Sequence, residues 1–529
     1  MMSRSGGLRT RFATVATGLA LLSGPLLADP GAAESRGRQI YTEGTSPTGG
    51  DITATVGSEG LSLPASAVPC ASCHGPDGLG RPEGGVLPPD IRWSELTKAY
   101  DHVHEDGRRH PAFEAVSLAR LLRTGLDPAD NRLDGSMPLY AMSVQDMDDL
   151  LAYLRYLEHD RDPGVEQDRV QVATLLPLTG PQGELGQAMA QVMHAHFQEV
   201  NARGGIFGRR LELLVIPSNG SPGETLDKLR QALEREGVFA LVGAYTVGLD
   251  EPILELTRAQ GLPLVGPFTL DPGDQLVNPA SFYIYPGFAE QVGVLADLAL
   301  GEAAAGEVRL VFAGPEGDHT DRLIAAVQDR LATGEAGRPA VLRYPPGGLD
   351  AGGLAGRLQA AAGDAILFLG TQAELEALLA ALAGRGLAPR IYLLSAFAAR
   401  PLFEAPPAFH GRLFLAYPTL SSDVSASGRA EYRRLADRHA LPPDHLQGQV
   451  AALAAAKLLV EGLQGAGRSL SRARLVEALE ALYRYDTGLA PPLTYGPNRR
   501  IGARGAHVMV VDLMQKTNRP VGEWHELRQ

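Results

Sequence analysis

Most of the chain alternates between short apolar runs and longer amphipathic stretches rich in Ala and Leu. The runs are rich in β-branched residues and predict buried strands. They lie at Val170–Pro177, Leu211–Ile216, Phe239–Gly243, Glu307–Phe312, Ala365–Leu369 and Ile391–Leu394. Helical stretches separate most of them, and the one over Leu185–Ala202 should stop at Gly204. Strand–helix alternation predicts parallel sheets covered on both faces. About 360 residues exceed one sheet domain, so we expect two α/β lobes.

The preceding part of the chain contains one clear helical pattern. Met147, Leu150, Leu151, Leu154 and Leu157 are spaced to share one face of a helix. Ser143, with Asp146 three residues later, has the pattern of an N-cap. A charged segment that ends in Pro163-Gly164 then marks a break. We therefore predict a small first domain over 36–160, a linker over 161–169 and the α/β domain over 170–515.

The first 28 residues predict a secretory signal peptide. An uncharged apolar run extends from Phe12 to Leu27, and Ala28 or Ala33 offers a small residue for cleavage. The positive charges before the run are Arg4, Arg9 and Arg11. The run is short for a membrane span, and an uncleaved anchor is the alternative. We expect export to the periplasm.

Composition and charge exclude one class of partner. Hydrophobic residues make up 44% and charged residues 21%, as in ordinary soluble domains. The net charge of −13 argues against nucleic acid, whose binding needs clustered cations. The acidic excess serves solubility or attracts a basic partner.

The chain contains only two cysteines, Cys70 and Cys73, and His74 follows directly. This C-x-x-C-H pattern predicts covalent attachment of one c-type haem. Two thiols on one helical turn can reach both vinyl groups of a porphyrin, and the imidazole can then bind the iron. A zinc site would need further ligands, and a redox-active pair would need a β-α-β surrounding.

A sixth ligand to the iron should follow downstream. Met137 precedes Pro138, and a thioether is a soft, neutral ligand that stabilises ferrous iron. Met142 and Met147 compete, but Met147 fits the helix stripe and is therefore predicted to be core. Three histidines also intervene and are predicted to be solvated surface residues, although one of them could replace Met137. They are His102, His104 and His110.

Residues 36–160 resemble a class I cytochrome c domain, and the resemblance implies a small all-α fold. Gly37–Tyr41 fits the first helix of that family, Cys73–Gly80 the stretch after haem attachment, and Leu150–Arg155 the closing helix. An insert rich in Gly and Ser between Tyr41 and Cys70 departs from the family and is predicted to be a surface loop. The resemblance implies an electron carrier with a redox partner protein, either a dehydrogenase or a terminal oxidase or cytochrome.

Residues 170–511 resemble the type I periplasmic solute-binding proteins of the Leu/Ile/Val group. The matching stretches are Leu176–Pro181, Asn201–Ile206, Leu241–Thr246, Gly261–Val265 and Tyr485–Pro497. The resemblance implies a ligand held between two lobes that close by a hinge, with loops at the carboxyl ends of strands lining the cleft.

Carried over by position, six residues are candidates for ligand binding. Tyr245, Thr246 and Thr269 would offer backbone N–H groups and hydroxyls to a carboxylate from the first lobe. From the second lobe, the candidates are His319, Thr371 and Tyr417. The chain departs from the family at Asp318–Thr320 and at Gln447–Gln449, where an amino group should be recognised. Asp318 is one candidate acceptor. The ligand is predicted to be an amino-acid-like molecule or an organic acid, and an amide or a small alcohol-derived metabolite stays open.

These patterns predict a haem electron carrier fused to a small-molecule binding module. The alternatives are the substrate-binding component of an ABC-type transport system, with a membrane permease as partner, and a redox-coupled ligand sensor. We expect no enzymatic activity, because the chain has no dinucleotide fingerprint, no P-loop and no nucleophile motif.

Overall fold

The computed structural model describes residues 31–527, apart from 58, 81–86, 101, 105–106, 273–277, 302–308, 332–338, 362 and 399. The predicted signal peptide over 1–28, with Arg4, Arg9, Arg11 and Ala28, lies outside the described residues, as does Glu307. The chain divides into two compact units between Asp160 and Arg161. Within the described ranges, no helix has the length and apolarity that a membrane span requires.

The first unit combines helices with short antiparallel strands. Its helices are α1 (Ala32–Glu43), α2 (Cys70–His74), α3 (Trp93–Leu96), α4 (Ala115–Thr124) and α5 (Val144–Tyr156). Its strands are β1 (Thr53–Val56), β2 (Leu61–Pro64), β3 (His102–Val103), β4 (Arg109–His110) and β5 (Leu139–Ala141). Strand β1 lies between β2 and β5, and β3 pairs with β4.

Helices α1 and α5 pack closely because a glycine lies at their crossing. A Cβ atom at Gly37 would lie 2.0 Å from the carbonyl oxygen of Asp149. The rings of Tyr41 and Tyr153 meet with centroids 5.4 Å apart. Ser143 caps α5 by accepting a hydrogen bond from the backbone N–H of Asp146, which confirms the predicted cap. The first and last helices of the unit therefore hold each other.

The segment between Tyr41 and Cys70 was expected to be a surface loop, and the structure corrects this. It forms β1 and β2, and β1 also pairs with β5. Ala54 is fully buried whereas Thr53 is exposed, so the two faces of the strand differ as a half-buried strand requires. The insert thus supports the loop that ends at Pro138.

The second unit contains the predicted alternation of strands and helices. Its helices are α6 (Gly183–Ala202), α7 (Pro222–Glu236), α8 (Asp250–Ala259), α9 (Phe288–Gly301), α10 (Asp318–Leu331), α11 (Ala351–Ala360), α12 (Gln372–Gly384), α13 (Ala426–His439), α14 (Leu446–Ala466) and α15 (Arg472–Glu480). Its strands are β6 (Arg169–Leu176), β7 (Arg210–Pro217), β8 (Leu241–Val242), β9 (Leu264–Val265), β10 (Ser281–Phe282), β11 (Leu310–Pro315), β12 (Ala340–Tyr344), β13 (Ala365–Phe368), β14 (Arg390–Leu394), β15 (Leu413–Tyr417), β16 (Gly505–Asp512), β17 (Thr517–Pro520) and β18 (His525–Glu526).

Two sheets define two lobes, as predicted. The first lobe has the parallel order β10-β9-β8-β6-β7. The second has the order β12-β11-β13-β14-β15, also parallel, and β16, β17 and β18 extend it antiparallel. The carboxyl ends of the parallel strands in each sheet therefore lie at one edge, where ligand-binding loops collect.

The chain crosses between the lobes at three described places. Ile284 packs in the first lobe and Phe288 in the second. The return passes between Tyr417 and Val424, and the last crossing lies between residues 503 and 506. Three connections side by side between two lobes are typical of a hinge.

The segment over 161–169, predicted as a linker, packs against the first lobe. Asp162 accepts a hydrogen bond from the backbone N–H of Arg472 at 2.6 Å, and the Gly164 carbonyl accepts one from Gln171 at 2.8 Å. The Arg472 guanidinium also donates to the carbonyl oxygens of Val238 and Phe239. The segment is thus part of the second unit.

Candidate cofactor cavity and ligand cleft

The first unit contains a cavity of about 530 Å³. Cys70, Cys73, His74 and Met137, which are far apart in sequence, all line it. Much of the remaining lining is apolar and includes Leu96, Phe113, Leu118, Leu121, Leu122, Leu150 and Leu154. A mostly apolar cavity of this size, with a few placed polar groups, is typical of a cofactor site.

Helix α2 presents both thiols on one turn. It begins after Pro69, whose extended backbone ends the preceding segment, and it spans only Cys70–His74. Cys70 is half-buried and Cys73 is exposed. Burial raises the pKa of the Cys70 thiol to about 11, so the unmodified side chain is a neutral thiol at pH 7.

His74 is fixed in one tautomer. Its ring is 5% exposed, and Nδ1 lies 3.1 Å from the Pro89 carbonyl oxygen. A carbonyl oxygen can only accept, so Nδ1 carries the proton and Nε2 keeps its lone pair for a metal ion. Burial also lowers the pKa of the ring, which favours the neutral form that binds metals.

The loop that carries Met137 is fastened to the same cavity. The backbone N–H of Ser136 donates to the Asp134 carboxylate at 2.9 Å, and that of Met137 donates to the Asp134 carbonyl at 3.2 Å. Tyr140, in β5, donates its hydroxyl to the Val68 carbonyl at 2.7 Å, which joins the loop to the segment before Cys70. Met147 is instead buried in α5, in the core.

The three histidines are not all solvated surface residues, which corrects the prediction. His110 is 4% exposed, His102 and His104 are half-buried, and all three line the cavity. The β3–β4 hairpin turns them inward. His110 Nδ1 lies 2.8 Å from the Pro111 carbonyl and Nε2 lies 2.9 Å from His104 Nε2. Both ring nitrogens of His110 are engaged, which disfavours His110 as a replacement for Met137.

The donor set fits a covalently attached haem. It provides two thiols, one imidazole of fixed tautomer and one thioether around an apolar cavity, a combination known from c-type haem ligation. Over the described ranges, no cluster of three or more His, Cys, Asp or Glu side chains is arranged to hold a metal ion directly.

In the first lobe, the predicted ligand residues follow β8 and β9. Tyr245 stacks on Phe268 with ring centroids 5.6 Å apart. Thr246 is 2% exposed and donates its hydroxyl to Asp250 at 2.6 Å. Thr269 accepts from the backbone N–H of Asp271, and its side chain lowers the pKa of the Asp250 carboxyl group. The Thr246 hydroxyl, which was expected to meet a ligand carboxylate, thus meets a carboxylate of the protein.

One of the residues predicted from the second lobe, His319, contacts a residue next to the first-lobe candidates. His319, in the first turn of α10, places Nδ1 3.3 Å from the Asp271 carboxylate, and its ring meets Phe288 edge-on at 5.8 Å. Arg322 pairs with Glu251 of the first lobe at 2.9 Å. His319 and the first-lobe candidates therefore belong to one region between the lobes.

The other two second-lobe candidates have local partners. Thr371 caps α12 by accepting from the Glu374 N–H, and its hydroxyl donates back to the Glu374 carboxylate. Tyr417 accepts a hydrogen bond from the Asn518 side chain at 3.1 Å. Both lie at carboxyl ends of strands, but their described contacts do not join them to His319.

Asp250 was missed by sequence reasoning. It begins α8, and burial raises the pKa of its carboxyl group, while the bond from Thr246 acts in the opposite sense. Its spacing of four residues after Thr246 was the available signal, because a hydroxyl and an acid so close in sequence can form a hydrogen bond. Asp318, the acceptor considered from sequence, is exposed.

The family model described as periplasmic binding protein matches residues 169–518. The chain belongs to this family. A cytochrome c model matches residues 65–158, so a cytochrome c domain precedes the binding-protein domain. The predicted family resemblances and the fold class are thereby confirmed, and the cytochrome c domain implies a covalent haem c.

Sequence relatives of this family are distant. The chain is 27% identical over 287 residues to the chemotactic signal transduction system substrate-binding protein BasB of Halobacterium salinarum, covering 52% of this chain and 66% of that protein. It is 22% identical over 206 residues to the Leu/Ile/Val-binding protein homolog 3 of Brucella melitensis, covering 39% of this chain and 55% of that protein. The chain thus spans less than two thirds of the length of these curated relatives.

Solved structures share the fold of the second unit. A putative branched-chain amino acid ABC transporter protein from Rhodospirillum rubrum aligns with a TM-score of 0.52 and 19% identity, covering 67% of this chain and 100% of that one. A fatty acid ABC transporter substrate-binding protein from Thermomonospora curvata aligns with a TM-score of 0.50 and 17% identity, covering 69% of this chain and 95% of that one.

The binding-protein fold points to binding rather than catalysis. Proteins of the periplasmic binding protein and cytochrome c families are typically exported.

Proposed function

We propose that this protein is a periplasmic one-electron carrier with a single covalent haem c, fused to a module that binds a small molecule. The observation that carries the proposal is the meeting of Cys70, Cys73, His74 and Met137 around one cavity. The electron partner would be a dehydrogenase or a terminal oxidase or cytochrome. The protein itself would not be an enzyme.

A bound haem supplies an iron that cycles between ferric and ferrous states. The chain's own residues set the conditions for that exchange. The two cysteines provide sulfur for thioether attachment, and the Pro89 carbonyl keeps the lone pair of His74 Nε2 available. Met137 would supply a neutral sulfur that favours ferrous iron, and the leucines of the cavity exclude water.

Attachment is tested by producing the full chain in a host that matures c-type cytochromes. Porphyrin should remain bound to the denatured wild-type protein. It should be lost when Cys70 and Cys73 are both replaced by Ala, whereas Met142→Ala retains it as the matched control. Wild-type protein without bound porphyrin would overturn the proposal.

The second unit would bind its ligand between the lobes near Asp250 and His319. Thr246 already donates to Asp250, and burial raises the pKa of that carboxyl group. A further N–H donor from the ligand would stabilise the charged carboxylate, which supports a ligand with N–H groups over a simple organic acid within the predicted class. Thermal-shift screening of amino acids against the matching acids that lack the amino group tests this. Equal shifts from both sets, in the wild type and in Asp250→Asn, would contradict the preference for an amino group.

A second candidate function is solute delivery to a membrane permease, with the cytochrome as an accessory. The fold shared with a fatty acid ABC transporter substrate-binding protein favours this candidate. A ligand sensor coupled to the redox state is favoured by the relative that belongs to a chemotactic system. Uptake of the ligand that survives replacement of Cys70 and Cys73 would support delivery. A ligand affinity that changes with reduction of the haem would support the sensor.

A further inference from the structure

One polar segment of the cavity has no part in the proposed attachment. Apart from His74, the described lining residues with side-chain N–H donors are His102, His104, Arg108 and His110. All four lie in β3, in β4 or among the described residues between these strands, and we call His102, His104, Arg108 and His110 together the histidine hairpin. N–H donors are therefore concentrated at one part of a largely apolar cavity.

The rings of the histidine hairpin are held in fixed positions. His102 stacks on His110 with centroids 4.9 Å apart and an interplanar angle of 18°, and Phe113 meets His110 edge-on at 4.9 Å. The Pro111 carbonyl requires a proton on His110 Nδ1. In a neutral His110 ring, Nε2 therefore accepts, and His104 Nε2 donates to it. The hairpin thus presents an ordered set of rings.

Arg108 is anchored beside these rings. Its Nη1 lies 3.6 Å from a carboxylate oxygen of Asp127, which is fully buried. The backbone N–H groups of Ala129 and Asn131, and the Asn131 side chain, donate to that carboxylate and hold it. A buried anchor of this kind keeps the arginine at the cavity wall.

One ring nitrogen of the hairpin is unsatisfied. His102 Nε2 is buried and has no hydrogen-bond partner. Buried polar atoms in folded proteins nearly always have a partner, so such an atom at a cavity wall indicates a bound group that can form a hydrogen bond with it.

We propose that the histidine hairpin receives the propionate carboxylates of the haem, an inference that rests on the proposed function. The propionates are the anionic groups of an otherwise apolar ring system, and a buried carboxylate needs N–H donors or a cation. Arg108 supplies a planar cationic donor, and His102 supplies the ring nitrogen that has no partner in the protein. These are positioning residues, because they would hold the periphery of the porphyrin and leave the iron to His74 and Met137.

The test uses the haem-loaded full chain and compares Arg108→Gln with Arg109→Gln. Arg109 is the adjacent, exposed residue of the same hairpin and does not line the cavity, so it controls for charge. Arg108→Lys tests rescue by a conserved charge. His102→Phe keeps a stacking ring and removes the ring nitrogens. This variant covers the case in which Arg108→Gln fails to fold. The readouts are the propionate modes in the resonance Raman spectrum, the reduction potential and the haem content.

Arg108→Gln and His102→Phe should shift the propionate modes, while covalent haem content and the sulfur-to-iron absorption band stay unchanged. Loss of the Arg108 charge should raise the ferric-to-ferrous ratio at fixed potential about tenfold, equivalent to about 59 mV for one electron. Arg108→Lys should return the propionate modes and the ferric-to-ferrous ratio most of the way to their wild-type values, and Arg109→Gln should match the wild type. Wild-type propionate modes in haem-loaded Arg108→Gln and His102→Phe would overturn this inference alone. Loss of the sulfur-to-iron band in His102→Phe would overturn it too, whereas wild-type protein without haem would overturn the proposed function.

Discussion

At the scale of single residues, the same side-chain type has different roles according to its surroundings. Met137 and Met147 are ten positions apart, yet Met147 packs in the core and Met137 lines the cavity. Among the histidines, Pro89 orients His74, whereas His196 is buried in the second unit without a partner for Nε2. Contacts rather than residue type thus separate ligands from core.

Met137→Ala should remove the sulfur-to-iron absorption band of the ferric protein and lower the reduction potential, because a soft neutral ligand that favours ferrous iron is lost. Optical spectra and redox titration measure both. Met142→Ala is the control and should change neither, since Met142 does not line the cavity. A band that persists in Met137→Ala would assign the sixth ligand elsewhere.

His196 should make the second unit less stable in acid. Burial lowers the pKa of its ring from 6.5 to about 4, so the folded state favours the neutral form. The stability due to this residue is complete above pH 6.5 and is lost as the pH falls towards 4, in total by about 3 kcal/mol. Urea unfolding at pH 7 and pH 4.5 should show a smaller difference for His196→Gln than for the wild type. His194→Gln, on the exposed side of the same helix where burial also lowers the ring pKa, should change that difference less.

At the scale of elements, close packing determines which helices and strands meet. Helix α1 reaches α5 only because Gly37 has no Cβ, and β1 joins the Met137 loop to the insert. In the second unit, the backbone N–H of Arg472 donates to Asp162 in the segment after the cytochrome domain, and its guanidinium donates to backbone carbonyls of the first lobe. Gly37 and Arg472 can each be replaced singly, which makes these two junctions testable.

Gly37→Ala should destabilise the first unit by about 1–3 kcal/mol, since the new methyl group would lie 2.0 Å from a backbone carbonyl. Helix propensity alone would predict a gain in the free energy of unfolding of about 1 kcal/mol, so the sign of the measured change shows which effect dominates. Gly223→Ala, in α7 with no neighbour within 4 Å of the new Cβ, is the control and should be neutral or stabilising. Stabilisation by Gly37→Ala in urea unfolding would refute the close approach.

Arg472→Met should cost about 2–4 kcal/mol, because it leaves the carbonyls of Val238 and Phe239 buried without their donor. Arg433→Met, at an exposed position of α13, should lie within about 0.5 kcal/mol of the wild type. The free energy of unfolding at pH 7 is the measurement, and equal values for the two variants would show that the anchor contributes nothing.

At the scale of the whole molecule, each unit has a hydrophobic core of its own. The core of the first unit is built on α1, α4 and α5, and the lobes of the second unit have separate clusters. A ligand that binds only the folded second unit should therefore stabilise that unit and not the first.

Calorimetry of the full chain should show separate transitions for the two units. A ligand at one hundred times its Kd should stabilise the second unit by about 2.7 kcal/mol and leave the haem-reported transition unchanged. The Cys70→Ala/Cys73→Ala variant identifies the transition of the first unit. A single transition that shifts as a whole on ligand addition would contradict the independence of the two cores.

The attachment motif, the alternation of strands and helices and the two families could be predicted from the sequence, because these are local patterns or their order along the chain. The short strands β9 and β10, which have two residues each and owe their pairing to neighbours in the sheet, were not predicted, and neither were β12, β15 and β16. Folding alone brought His110 to the cavity wall and gave the hydroxyl of Thr246 to Asp250. Those outcomes depend on which distant segments share a buried space, and desolvation and hydrogen bonding decide this only once the chain is folded.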